Sequence, residues 1–126
     1  MSGMTKLAFA EVEELGALPM STYERVDFGG VEVYRYVFEP GWSWVEHAGS
    51  FMGADSCPIP HILFTVSGRL AVKMDDGSTA EVGEGECIVI PPGHDAWTIG
   101  DEAYVGIDLG PQIYESMMMN GASGQG

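Results

Sequence analysis

The chain holds three histidines, His47, His61 and His94, and each is predicted to lie beside a strand end. Imidazole suits Zn, Fe, Cu and Ni alike. Three convergent histidines would therefore make a divalent-metal site (Zn, Fe, Mn or Ni) with no spare ligand. Metal ligation and plain hydrogen bonding to a ligand both stay open at this point. Two acids stand next to a histidine in sequence, Glu46 and Asp95, as replacement ligands or as partners that orient an imidazole. Parity places both on outer faces. Asp108 lies in an otherwise apolar run; pointing inward, it becomes a candidate general base with a raised pKa, against the commoner alternative of a hydrogen-bonded structural acid. The candidate catalytic groups are thus His61, His94 and Asp108. Cys57 is a candidate ligand or nucleophile without a visible activating neighbour. Cys87, in a strongly apolar run, reads as core.

These residues need elements to carry them. Only Phe9–Leu15 reads as helical, stopped by Gly16 and Pro19. After Ser21 the chain reads as nine short strands: Tyr23–Phe28, Val31–Phe38, Trp42–His47, His61–Val66, Arg69–Met74, Thr79–Val82, Cys87–Ile90, Asp95–Ile99 and Tyr104–Leu109. Gly-Gly, Pro-Gly, Ser-Gly and Asp-Gly steps punctuate them. Such spacing predicts an all-β sandwich or barrel. The division expected is an N-terminal segment over 1–20, a β domain over 21–110 and a flexible tail over 111–126. The long loop from Ala48 to Pro60 breaks the rhythm and is of a length that is commonly functional.

Alternate residues of a strand share a face. His61, Leu63 and Thr65 would point one way, and Ser43, Val45 and His47 would share a face of their strand. If both histidines face inward, Val45, Leu63 and Thr65 line a mostly apolar pocket suited to a small organic ligand. Trp97 is placed at its mouth, where it would stack on a planar molecule.

The stretch GECIVIPPG resembles the second motif of the cupin superfamily, with Gly85, Pro91 and Gly93 at its fixed positions. Gly41 and His47 match the start of the first cupin motif, while His61 and Gly68 match its end, with histidine where an acid is usual. The resemblance implies an all-β cupin double-stranded β-helix, or jelly roll, with a short N-terminal helix. It implies a metal site only in part. His47 occupies the first ligand position and His61 the glutamate position, whereas Gly49 and Ala96 stand where two more histidines are usual. A remodelled site of His47, His61 and His94 is the metal set expected, with His94 included by proximity.

Composition sets the limits. The 126 residues carry 19 Asp+Glu against 5 Lys+Arg, a net charge of -14. Such a field repels phosphate backbones and anionic lipid heads, so neither nucleic acid nor a membrane surface is an expected partner. No apolar run is long enough to span a bilayer, and the first ten residues lack the apolar core of a signal peptide. Two cysteines make no disulfide framework, so the cytoplasm is the expected compartment. A small-molecule ligand is the expected partner, and a homodimer through the first strands or the Met-rich tail is expected alongside it. Two function classes stand nearly level: a metal-dependent oxygenase, isomerase or lyase, and a metal-free binding module or enzyme whose histidines act as contacts or as acid and base. A structural protein whose barrel only stabilises a dimer stands behind them.

Overall fold

In the computed structural model, described over residues 3–124, the chain forms two antiparallel sheets on one core. The strands are β1 (Ala10–Glu11), β2 (Ser21–Asp27), β3 (Glu32–Phe38), β4 (His61–Ser67), β5 (Arg69–Met74), β6 (Thr79–Val82), β7 (Cys87–Ile90), β8 (His94–Ile99) and β9 (Tyr104–Asp108). The larger sheet runs β1-β2-β3-β9-β4-β7 and the smaller β6-β5-β8. Alternation does the sorting: in β8, His94, Ala96 and Thr98 are buried while Asp95, Trp97 and Ile99 are half-exposed. Tyr36, Phe38, Leu63, Ile90 and Tyr104 of one sheet meet Leu70, Val72, Val82 and Ala96 of the other. This is the jelly-roll arrangement expected.

Three elements differ from expectation. Phe9–Leu15 is not a helix; it is the two-residue β1 followed by a 3-10 turn at Glu13–Leu15. Gly16 and Pro19 leave too few residues to offset the cost of helix nucleation, and pairing with β2 takes them instead. Trp42–His47 is not a strand either. From Val45 the chain enters a π-helical turn (Val45–Gly49) that runs into α1 (Ser50–Met52). The buried pair Trp44 and Ala48 is spaced i, i+4, a helical period that the Trp42/Trp44 alternation masked. Finally, α2 (Gly110–Gly124) replaces the open tail expected from 111 onward and packs on β4 and β3. Among the described residues, no helix is long and apolar enough to cross a membrane.

One glycine of the motif is structurally required. Gly68 alone connects β4 to β5, with φ +78°, and a Cβ there would collide with the Ala103 carbonyl and lie 2.8 Å from Cα of Tyr104. Gly68→Ala is therefore expected to cost at least about 2 kcal/mol, from left-handed strain plus backbone displacement. Urea denaturation measures it, and a loss below about 0.5 kcal/mol would contradict the crowding.

Candidate functional site

The loop from Ala48 to Pro60 folds back on the second cupin-like turn. Cys57 forms an isolated antiparallel bridge with His94: its N–H donates to the His94 carbonyl at 2.7 Å, and the Gly93 N–H donates to the Cys57 carbonyl at 2.8 Å. Gly93, at φ +91°, makes the turn that presents this backbone, and its missing Cβ leaves Asp75 in place. Cys57 thereby lies beside His94, which is 37 residues away in sequence, as well as beside His61, four residues on. His61 opens β4 and His94 opens β8, with ring centroids 5.1 Å apart. One ligand atom from each of Cys57, His61 and His94 lies within 4.8 Å of the others.

Hydrogen bonds decide which ring nitrogens face the cluster. Nδ1 of His94 donates to the Pro91 carbonyl at 2.9 Å, since a carbonyl only accepts. Nδ1 of His61 donates to Oδ2 of Asp108 at 2.6 Å. Each histidine therefore turns Nε2 to the cluster, and Nε2 of His61 lies 3.8 Å from Sγ of Cys57. Asp108, 1% exposed, also accepts from the Tyr36 hydroxyl at 2.7 Å and from the backbone of Ile62 and Gly110 at 3.1 and 3.0 Å.

The protonation states follow from these contacts. Burial pushes the Cys57 thiol up, but hydrogen bonds from His61 and His94 overcome it and bring the group down from 9.0 to about 6. Burial likewise pushes His61 down, and the hydrogen bonds to Asp108 and Cys57 reverse it, raising the imidazole from 6.5 to about 9. Burial raises the Asp108 carboxyl; His61 and Tyr36 more than offset this, so the group stays below its ordinary value. The raised pKa expected for an inward Asp108 is corrected, because its hydrogen-bond donors outweigh its burial. The contacts thus favour thiolate at Cys57 and imidazolium at His61, with the Asp108 carboxylate behind them.

The donor set fits a divalent metal. A thiolate and two Nε2 lone pairs, with both Nδ1 atoms held by acceptors, is the ligand chemistry and outer support that Zn-type sites use. The Cys57/His61/His94 group could hold such an ion.

The site faces a cavity of about 240 Å³ lined by Tyr36, Phe38, Trp42, Leu63 and Ile90 along with the cluster itself. Of the ligand-contact residues expected, Leu63 lines this cavity. Thr65 is buried but is not among the cavity's lining residues, and its hydroxyl lies 3.1 Å from the Tyr104 hydroxyl. Val45 and Trp97 instead line a shallow groove outside β8, with Asp95 and Glu46. Asp95 accepts from the Val45 N–H at 3.0 Å and so holds that turn in place.

The structure does not bring His47 to the cluster. In the helical turn its Nδ1 bonds the Ser43 backbone at 3.0 Å, and its ring is not among the cavity walls. The shared face of Ser43, Val45 and His47 rested on a strand that does not form. Gly49 has a local reason as well. A Cβ there would lie 2.5 Å from the Ala54 carbonyl and 2.6 Å from the Trp44 ring, so no side chain fits where a cupin histidine is usual. Cys57, expected only as a candidate ligand or nucleophile without an activating neighbour, takes the third place instead, beside His61 and His94. Its four-residue spacing from His61 across two prolines was the available signal.

No protein-family model and no curated protein matches the sequence. Solved structures do resemble the fold. A cupin-like protein from Thermotoga maritima is 22% identical over 75% of this chain and 70% of its own, with a TM-score of 0.53. The polyketide cyclase RemF from Streptomyces resistomycificus is 19% identical over 86% of this chain and 80% of its own, with a TM-score of 0.60. KdgF from Halomonas sp. is 19% identical over 83% and 86%, with a TM-score of 0.56. These likenesses show a small domain of cupin-like fold.

Proposed function

We propose that this cupin-type domain transforms a small organic molecule in its barrel at a divalent-metal centre made by Cys57, His61 and His94, as an oxygenase, isomerase or lyase. The observation that carries the reading is the pair of anchored Nδ1 atoms, which aims two Nε2 atoms and a thiolate at one point beside an apolar cavity. A bound divalent ion would supply Lewis acidity toward a substrate oxygen. The protein's own groups do the rest. Asp108 holds the His61 ring and its tautomer, and Tyr36 holds Asp108. The apolar walls exclude water and seat the molecule. Because His61 must surrender its Nε2 proton to ligate, metal affinity is expected to rise with pH toward about 9. The neighbouring polyketide cyclase supports a small organic substrate.

A second reading is favoured by the 3.8 Å approach of Sγ to Nε2 and the alignment of Asp108 behind it. In it no metal is bound, and Cys57 and His61 act as base, acid or nucleophile. Elemental analysis after incubation with Zn, Fe, Mn and Ni salts separates the two. Near-stoichiometric metal is expected in the parent protein and in His47→Ala. Affinity is expected to fall at least about tenfold in Cys57→Ser and His94→Ala, each checked for folding by circular dichroism. Metal absent from the parent protein with every salt would sink the first reading and leave the second.

A further inference from the structure

We infer that the cavity takes an uncharged, compact, ring-bearing molecule with one hydroxyl or carbonyl oxygen, its ring flat along the aromatic wall and its oxygen turned to Cys57, His61 and His94. This deepens the small-molecule reading above and rests on it. Charge comes first. No Lys or Arg lines the cavity. Three of the five cationic residues are spent elsewhere, Arg25 on Glu32, Arg35 on Glu24 and Arg69 on Glu81, while Lys6 and Lys73 are exposed. A divalent ion, the Cys57 thiolate and the Asp108 carboxylate would sum to zero. An anionic ligand would then leave an uncompensated charge in an apolar chamber, which is costly. An organic cation finds no free partner either, since Asp108 already accepts from His61, Tyr36 and two backbone N–H groups.

Shape comes next. Tyr34, Tyr36, Phe38 and Trp42 form a run of stacked rings, at 6.0 Å and 29°, then 5.3 Å and 18°, then 3.8 Å and 3°. All four line the cavity. A run of near-parallel rings favours a flat partner over a branched one. At about 240 Å³ the chamber is below the ~300–1,000 Å³ of drug-sized sites, so the ligand is of about one or two rings. Of the side-chain polar groups of this wall, the Tyr36 hydroxyl donates to Asp108 and the Tyr34 hydroxyl to Glu32, while the buried Trp42 Nε1–H has no partner and could serve a second acceptor on the ligand. The other polar groups of the cavity converge at the cysteine–histidine cluster, and the polar end of the ligand is placed there.

The test uses 2-naphthol, 2-naphthoate and the 2-naphthylmethylammonium ion near neutral pH, on metal-loaded and chelator-stripped protein. Tryptophan fluorescence and titration calorimetry read the dissociation constants, and elemental analysis reads the metal. We expect 2-naphthol to bind at least about tenfold more tightly than either ion. Ala96, buried on β8 and lining the same cavity, provides the location control. Ala96→Phe should abolish 2-naphthol binding while metal content is kept, and Ala96→Leu should weaken it if the larger ring prevents folding. Either ion binding as tightly as 2-naphthol, or no probe binding, would overturn the inference. So would unchanged 2-naphthol affinity in folded Ala96→Phe or Ala96→Leu. Preferred 2-naphthol binding by a protein that takes up no metal would uphold the ligand class and fail the metal reading alone. Stoichiometric metal with preferred 2-naphthoate would do the reverse.

Discussion

Asp108→Ala is expected to lower the unfolding free energy of the metal-free protein by about 3–5 kcal/mol. The carboxylate is 1% exposed and accepts from four donors: His61 Nδ1, the Tyr36 hydroxyl, and the backbone N–H groups of Ile62 and Gly110. Truncation leaves all four buried without their acceptor and the His61 imidazolium without its counter-charge. Asp108→Asn should lose less, because an amide oxygen still serves the backbone donors, while its NH2 faces a donor it cannot satisfy. Both variants release the His61 ring, so metal affinity should fall about 10–100-fold in each. Urea titration and competition with a colorimetric chelator measure the two effects. An Asp108→Ala loss under about 1 kcal/mol would show that the network carries little. Because the Asp108 pKa is depressed, its contribution is present at neutral pH and is lost as pH falls through the folded value.

The second large effect is the titration of Cys57 in metal-stripped protein. The difference in thiolate ultraviolet absorbance between the parent protein and Cys57→Ser should show a midpoint of about 6. His61→Ala removes the first of the lowering partners, and the midpoint should climb by about two units toward the ordinary thiol range. A midpoint left near 6 in His61→Ala would refute the pairing. Stability follows with two signs. The depressed Cys57 contributes fully above 9.0 and loses its contribution as pH falls through about 6. The raised His61 contributes fully below 6.5 and loses its contribution as pH rises through about 9. Since one ion pair underlies both, stability should form a plateau between about 6 and 9 and decline on either side. In His61→Ala the alkaline decline should disappear.

Much of the fold was legible because it rests on local signals. Period-two burial in β8 and the turns at Gly68, Gly85 and Gly93 follow from backbone geometry that a few neighbouring residues dictate. The places where sequence reading failed share a physical cause. Trp42–His47 fits both a strand period and a helical one over so few residues, and packing of Trp44 and Ala48 decided for the helix. That choice removed His47 from the site. The C-terminal segment carries a weak apolar bias and became a helix where β3 and β4 offered a surface to pack on.

The site shows the same division. His61 was legible as a residue at a strand start that could face inward, His94 only by its nearness to one, and Asp108 as an acid in an apolar run. The amino-acid sequence by itself determined a small acidic jelly roll with imidazoles at the ends of its strands. Tertiary structure alone decided that Cys57, and not His47, joins His61 and His94 in the cluster. A backbone bridge between residues 57 and 94 closes a loop that no local rule orients. It also decided the charge states, since the Asp108, His61 and Cys57 values depend on partners separated by up to 72 residues, as Tyr36 is from Asp108. Local propensity cannot encode a pKa that is set by burial and by neighbours brought from distant strands.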